Sequence, residues 1–217
     1  MKQAAMLIVI LALATFVSAQ TQTPPPPPAG AATTPPPQGK RPPQAKTQAE
    51  FDAYKVAAAN TDGPGLEKAA DDFATKFPDS ELRILLYRNA MHIYQSANQS
   101  DKMMDMGRKV LKIDPDDPEA LVGVAQVLAE RTRDTDLDKD QRLDEGTKLA
   151  QHALETVETD ITVPPGTPQD KIDAYKGFLR SNAFYVLGTI QYTRGKFADA
   201  EGDFRNRQRL RSASPGR

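Results

Sequence analysis

The sequence predicts an all-α chain, an α-α superhelix of about four antiparallel helix pairs, and three observations carry that prediction. Apolar residues recur at helical spacing on both sides of Gly195: Phe184, Leu187 and Gly188 before it, Phe197, Ala200 and Phe204 after it. Four positions repeat 34 residues apart, Tyr87, Ala90, Met91 and Tyr94 being followed by Leu121, Val124, Ala125 and Leu128. Outside one proline-rich stretch, prolines stand where helices should start or stop, as at Pro64, Pro78, Pro115 and Pro168. A single helix pair cannot bury its apolar face, so stacking is expected.

Composition narrows the classes. A formal net charge of −1 gives no reason to expect nucleic acid, and the absence of cysteine excludes disulfides, thiolate metal sites, cysteine nucleophiles and a lipoprotein lipid anchor. Residues 1–19 carry one lysine, Lys2, then an uncharged run ending Val17-Ser18-Ala19. This reads as a signal peptide cleaved after Ala19, because the apolar core is shorter than the roughly 20 residues a spanning helix needs. An exported, periplasmic protein with no stable membrane span follows. Residues 20–46 hold ten of the eighteen prolines and no hydrophobic period, so they read as a disordered free tail.

The repeat region is expected over 47–210. Phe51, Tyr54, Ala57 and Ala58 mark a first helix; after the breaker at 61–65, Leu66, Ala69, Ala70, Phe73 and Phe77 mark a second. Phe77-Pro78 stops it, and Ser80 is placed to cap the next, over about 80–97. Its partner carries Met103, Gly107, Val110 and Leu111 and closes at Asp114-Pro115. The next pair opens with Leu121 and is interrupted by a charged insertion over about 131–141, before a helix over 143–157 that carries Ala153 and Leu154. Thr167 and Pro168 look like the cap and first turn of one long helix reaching about Thr193, since no breaker separates Ile172, Tyr175, Phe178 and Leu179 from Phe184. Its first half is expected to pack on the preceding helix. Residues 211–217 read as a disordered basic tail.

On these residues the chain resembles a tetratricopeptide-repeat protein of the exported bacterial type. The aromatic and small residues of 84–117, of 118–157 and above all of 184–204 match the family's unit, two antiparallel helices with a small residue in each and a closing proline. Arg207 and Gln208 depart from it, standing where a small residue and a leucine are expected. The basic end they begin lacks the interleaved aromatics of a nucleic-acid binder.

The insertion imitates a calcium loop, with Asp134, Asp136, Asp138 and Asp140 alternating and Glu145 eleven positions after Asp134. Lys139 stands where a glycine should make the turn and Gln141 where an apolar anchor belongs, so a solvated charged loop is expected and no metal or other cofactor. Two histidines, His92 and His152, accompany no HExxH, GxSxG, GxxxxGK or GxGxxG spacing, and catalysis is not expected.

The resemblance implies a concave groove lined by the first helix of each pair, which would bind a protein or peptide. Carrying over its groove positions gives Arg88, His92 and Gln95, then Val122, Gln126 and Ala129, then Tyr185, Thr189 and Tyr192. The clamp some members use for a terminal carboxylate presents several lysines and asparagines, and this chain offers only Arg88 and Asn182, so that mode is poorly supplied; the tyrosines suit an extended or helical peptide. Two alternatives stay open: these positions form a plain solvated face, or the chain is a structural subunit of a larger envelope complex.

Overall fold

The helices begin where short-range chemistry starts them. Thr47 caps the first: its hydroxyl accepts the Glu50 N–H at 3.1 Å, and the Glu50 carboxylate reaches back to the Lys46 N–H at 2.7 Å, a reciprocal cap displaced by one residue. This is α1, Gln48–Ala58. Asp62 accepts the Gly65 N–H, and Pro64 lies in the first turn of α2, Gly63–Lys76. Then follow α3, Arg83–Ser96; α4, Ser100–Ile113; α5, Pro118–Arg131; α6, Lys139–Thr156; α7, Gln169–Thr193; and α8, Phe197–Ala213. The computed structural model describes residues 39–213, all within one compact unit, Pro36–Arg217. The expected signal peptide 1–19, the proline-rich stretch up to residue 38 and the end 214–217 lie outside the described residues.

Among the described residues the structure is all-helical, with no strand beyond an isolated bridge between Lys40 and Thr162. Each helix packs on the next along the chain, and α1 also meets α3 as α5 meets α7. Two turns reverse the chain by one device. Asn98 and Gly195 each stand eleven positions after the aromatic that opens their pair, Tyr87 and Phe184, and both adopt positive φ, 56° and 73°. The following N–H then bonds back five residues, Gln99 to the Tyr94 carbonyl and Lys196 to that of Gln191, each at 2.9 Å.

The core has a centre in α5, ten of whose fourteen residues are buried. One apolar cluster runs from α1 through α4 into α5, including Leu66, Phe73, Leu86, Met91, Met106 and Val127; two others join α5 to α6 and α7 through Leu121, Ala125, Leu143, Ala153, Val186 and Ile190. A helix apolar on nearly every side belongs inside a stack, and α5 is where the two halves of this one meet. Small residues set the separations. A methyl at Gly107 would meet Val124 at 2.7 Å, and one at Gly188 the Phe204 ring at 2.6 Å.

Several boundaries differ from the expectations. Ser80 does not cap α3, which starts at Arg83; its buried hydroxyl accepts the Leu82 N–H and donates to the Glu50 carboxylate, tying α1 to the α2–α3 turn. Thr167 turns its hydroxyl back to the Pro164 carbonyl, and Pro168 takes the cap position of α7. The insertion is shorter than expected, since α6 already begins at Lys139. Helix continues through 211–213, where a disordered tail was expected.

The largest difference lies at 39–46, which the sequence assigns to a free tail. The segment instead runs extended along the inter-helix connections. The Lys40 N–H bonds the Ile161 carbonyl at 2.9 Å, and its ammonium lies 2.7 Å from Asp114 and 2.8 Å from Asp160. Arg41 and the Gln44 N–H share Glu81, while the Lys46 ammonium donates to the Asp79 carbonyl. Gly39 allows this approach, because a Cβ there would stand 2.8 Å from the Ile161 oxygen. Composition hid the strap: its partners are charges far away in sequence.

Candidate functional site

The first half of α7 packs where the sequence expects apolar surface, on the end of α6 and the connection after it. Ile172 and Leu179 are buried with Val157 and Ile161, and Tyr175 packs beside them. The buried Lys176 ammonium donates to the Glu158 carbonyl at 2.8 Å, and Arg180 pairs with the Glu158 carboxylate. Phe178 remains 59% exposed.

From α3, Arg88 and His92 enter a charge network that reaches α5 and α7. Asp117 caps α5 by accepting the Ala120 N–H at 2.8 Å, and its other oxygen pairs with the Arg88 guanidinium. Asp117 is buried and Arg88 largely so. One residue past Pro118, Glu119 accepts from His92 Nε2 at 2.5 Å and from the Tyr175 hydroxyl, and lies 3.6 Å from Arg88 Nε. That Nε is itself buried without a hydrogen bond. Electrostatics follow the geometry. Burial would raise the Glu119 carboxyl, but the bond and charge of His92, with Arg88 and Tyr175, outweigh it and hold the group below the ordinary range. Glu119 raises the His92 imidazole despite its partial burial, and burial together with Glu119 pushes the Tyr175 phenol up.

Gln95 and Gln126 come together across α3 and α5. With Asn98, Gln99, Met103 and Glu130 they line a notch of about 100 Å³. The Gln126 amide donates to Glu130 at 2.9 Å. Val122 and Ala129 are different: both are at most 4% exposed, and Val122 packs with Leu121, Ala153 and Ala183. Neither has surface to offer a partner.

On α7 the three expected groove residues separate from that face. Tyr185 packs against Phe204 of α8, ring centroids 6.4 Å apart, and the Arg207 guanidinium lies 4.3 Å from its ring centre. Arg207 thus fills by cation–π stacking the position where the resemblance led one to expect a small residue. Thr189 donates to the Tyr185 backbone carbonyl. Tyr192 is 62% exposed and meets the equally open Phe197 edge-on across the α7–α8 turn. Asn182 is half-buried.

In the acidic turn 132–138 two of the three carboxylates are engaged, and Asp138 makes no side-chain cap bond to α6. Asp134 pairs with Lys139 at 2.7 Å, Asp136 accepts the Arg133 N–H, and Glu145 has moved onto α6, where it pairs with Arg108 of α4. No cluster of three potential metal ligands exists among the described residues. Sequence reasoning missed Asp117, Glu119 and Tyr175 as members of the network. Asp117-Pro118 is readable as a helix start, but the crossings that bring Arg88 and Tyr175 to it are not.

No protein-family model matches the chain, and no match is found among curated proteins.

Proposed function

We propose that this protein is an exported, non-catalytic helical-repeat scaffold of the tetratricopeptide type that binds a protein or peptide partner in the cell envelope. The observation that carries the reading is the convergence of polar side chains from successive first helices: Gln95 with Gln126 at an open notch, and Arg88 and His92 with Glu119 beside it. The 34-residue period and the consecutive packing of helix pairs support the repeat class. The lysine, apolar run and Val17-Ser18-Ala19 at the start of the chain support export.

A photo-crosslinking residue at Gln126, with another at exposed Lys112 on α4 as control, tests the groove in intact cells. A defined species captured only from position 126, and lost on Gln95→Arg, is the expected result. Equal capture from both positions, or capture indifferent to Gln95→Arg, removes the groove reading. Export is tested separately by release of the protein on outer-membrane permeabilisation.

A second reading, as a structural subunit of a larger complex, is favoured by the exposed Tyr192–Phe197 pair and Phe178. Native mass spectrometry distinguishes it: a higher assembly that dissociates on Tyr192→Ala plus Phe197→Ala supports the subunit role, and a monomer at all concentrations ends it.

A further inference from the structure

The segment leading into α5, residues 116–119, carries three carboxylates in four positions, Asp116, Asp117 and Glu119. Asp117 is occupied by the Ala120 N–H and by Arg88. The other two are bonded from opposite sides by the chain's two histidines. His92 of α3 holds Glu119 at 2.5 Å, and His152 of α6 holds Asp116 at 2.7 Å. The place matters as much as the pairing. The apolar cluster of α1–α4 and the clusters of α6 and α7 both end on α5, so the helix that this turn opens is the joint between the halves.

We propose that His92 and His152 together form a pH-responsive clamp that tightens the opening turn of α5 when both are protonated and slackens it when they are neutral. This inference does not depend on what the groove binds.

Around His92 stand Glu119 and Asp117 at the start of α5, Arg88 on its own helix and, through Glu119, Tyr175 of α7. Around His152 stand Asp116, Glu155 on its own helix and Asp160 beyond α6, the last already shared with Lys40 of the strap. The carboxylates outnumber the fixed cations at the turn. Imidazolium forms supply charge-assisted bonds there, and neutral imidazoles leave weaker ones. In both cases the hydrogen-bonded carboxylate is the main influence and raises the histidine above its ordinary 6.5, against the opposing effect of burial. The sign follows. A group raised in the folded state adds stability that is complete below 6.5 and is lost as pH rises through the folded value. Glu119, held low, keeps its charge through that window.

Proton NMR titration of the two imidazole Cε1–H signals in the whole protein should give both midpoints above 6.5. Thermal unfolding at about pH 5.5 and about pH 8 should show a lower Tm at the higher pH, a fall that shrinks in His92→Gln and in His152→Gln and vanishes in the double variant. A midpoint at or below 6.5 for either histidine overturns the proposal, as does a double variant whose Tm falls as far as the parent's. If the double variant does not fold, the titration of the unsubstituted protein decides alone.

Discussion

The Phe204 ring of α8 lies directly over Gly188 of α7, so close that a methyl group on Gly188 would meet three ring carbons at 2.6, 2.7 and 3.0 Å. The ring cannot swing away easily, because Tyr185 packs on it one turn earlier, with Arg207 against that tyrosine's face. Gly188→Ala therefore overpacks the α7–α8 contact and should cost about 1–3 kcal/mol. Denaturant unfolding measures it. A similar methyl at Gly202, where nothing lies within 4 Å, should not destabilise.

Arg88 and Asp117 form a largely buried pair, with side chains 14% and 3% exposed. Removing the guanidinium leaves a buried carboxylate facing a half-buried one, Glu119. Arg88→Met should destabilise by about 3–5 kcal/mol, and Arg88→Met with Asp117→Asn by clearly less, because the second change removes the stranded charge. A double-mutant cycle from equilibrium unfolding reads the difference.

Glu50 is buried, and its carboxyl is held below its ordinary 4.5 chiefly by the Ser80 hydroxyl. Stability from a lowered carboxyl is present above 4.5 and disappears as pH falls through the folded value. Ser80→Ala should cost about 1–3 kcal/mol at neutral pH. It should also move the onset of acid unfolding to higher pH, followed by circular dichroism.

The strap at 39–46 is held by ion pairs whose side chains are 19% to 58% exposed, together with backbone bonds. Lys40→Ala should change global stability by less than about 1 kcal/mol. Locally the effect should be larger: hydrogen exchange at the Lys40 amide, which donates to Ile161, should rise, as it should in the unsubstituted protein at high salt.

Asp134 and Asp136 already have partners, and Glu145 sits on a helix paired with Arg108, so calorimetric titration with millimolar calcium should show no heat of binding.

The helices were legible because what starts and stops them acts within a few residues. Asp62 and Asp117 before prolines, the Asn98 and Gly195 reversals and the unbroken apolar spacing from Ile172 to Leu187 are local signals, and the helices lie within a few residues of them. The exceptions at Ser80 and Thr167 are instructive. Each is a good cap by type, yet a hydroxyl takes the best partner within reach; for Ser80 that partner, Glu50, is thirty residues away.

The candidate site was much less legible. Periodicity marks the same position in successive helices, and it chose Arg88, Val122 and Tyr185 alike. It could not say that the first is bound in an ion network, the second sealed in the core and the third packed beneath α8. Nor could it see that a stretch rich in proline and lysine would lie along the connections at Asp114, Asp160 and Glu81. By itself the sequence determined the helices, their order and the long span of α7, since backbone hydrogen bonds and caps close over one turn. Tertiary structure alone decided which polar side chains stay free, because pairings such as Arg88 with Asp117 and His92 with Glu119 depend on how helices far apart in sequence come to rest against one another.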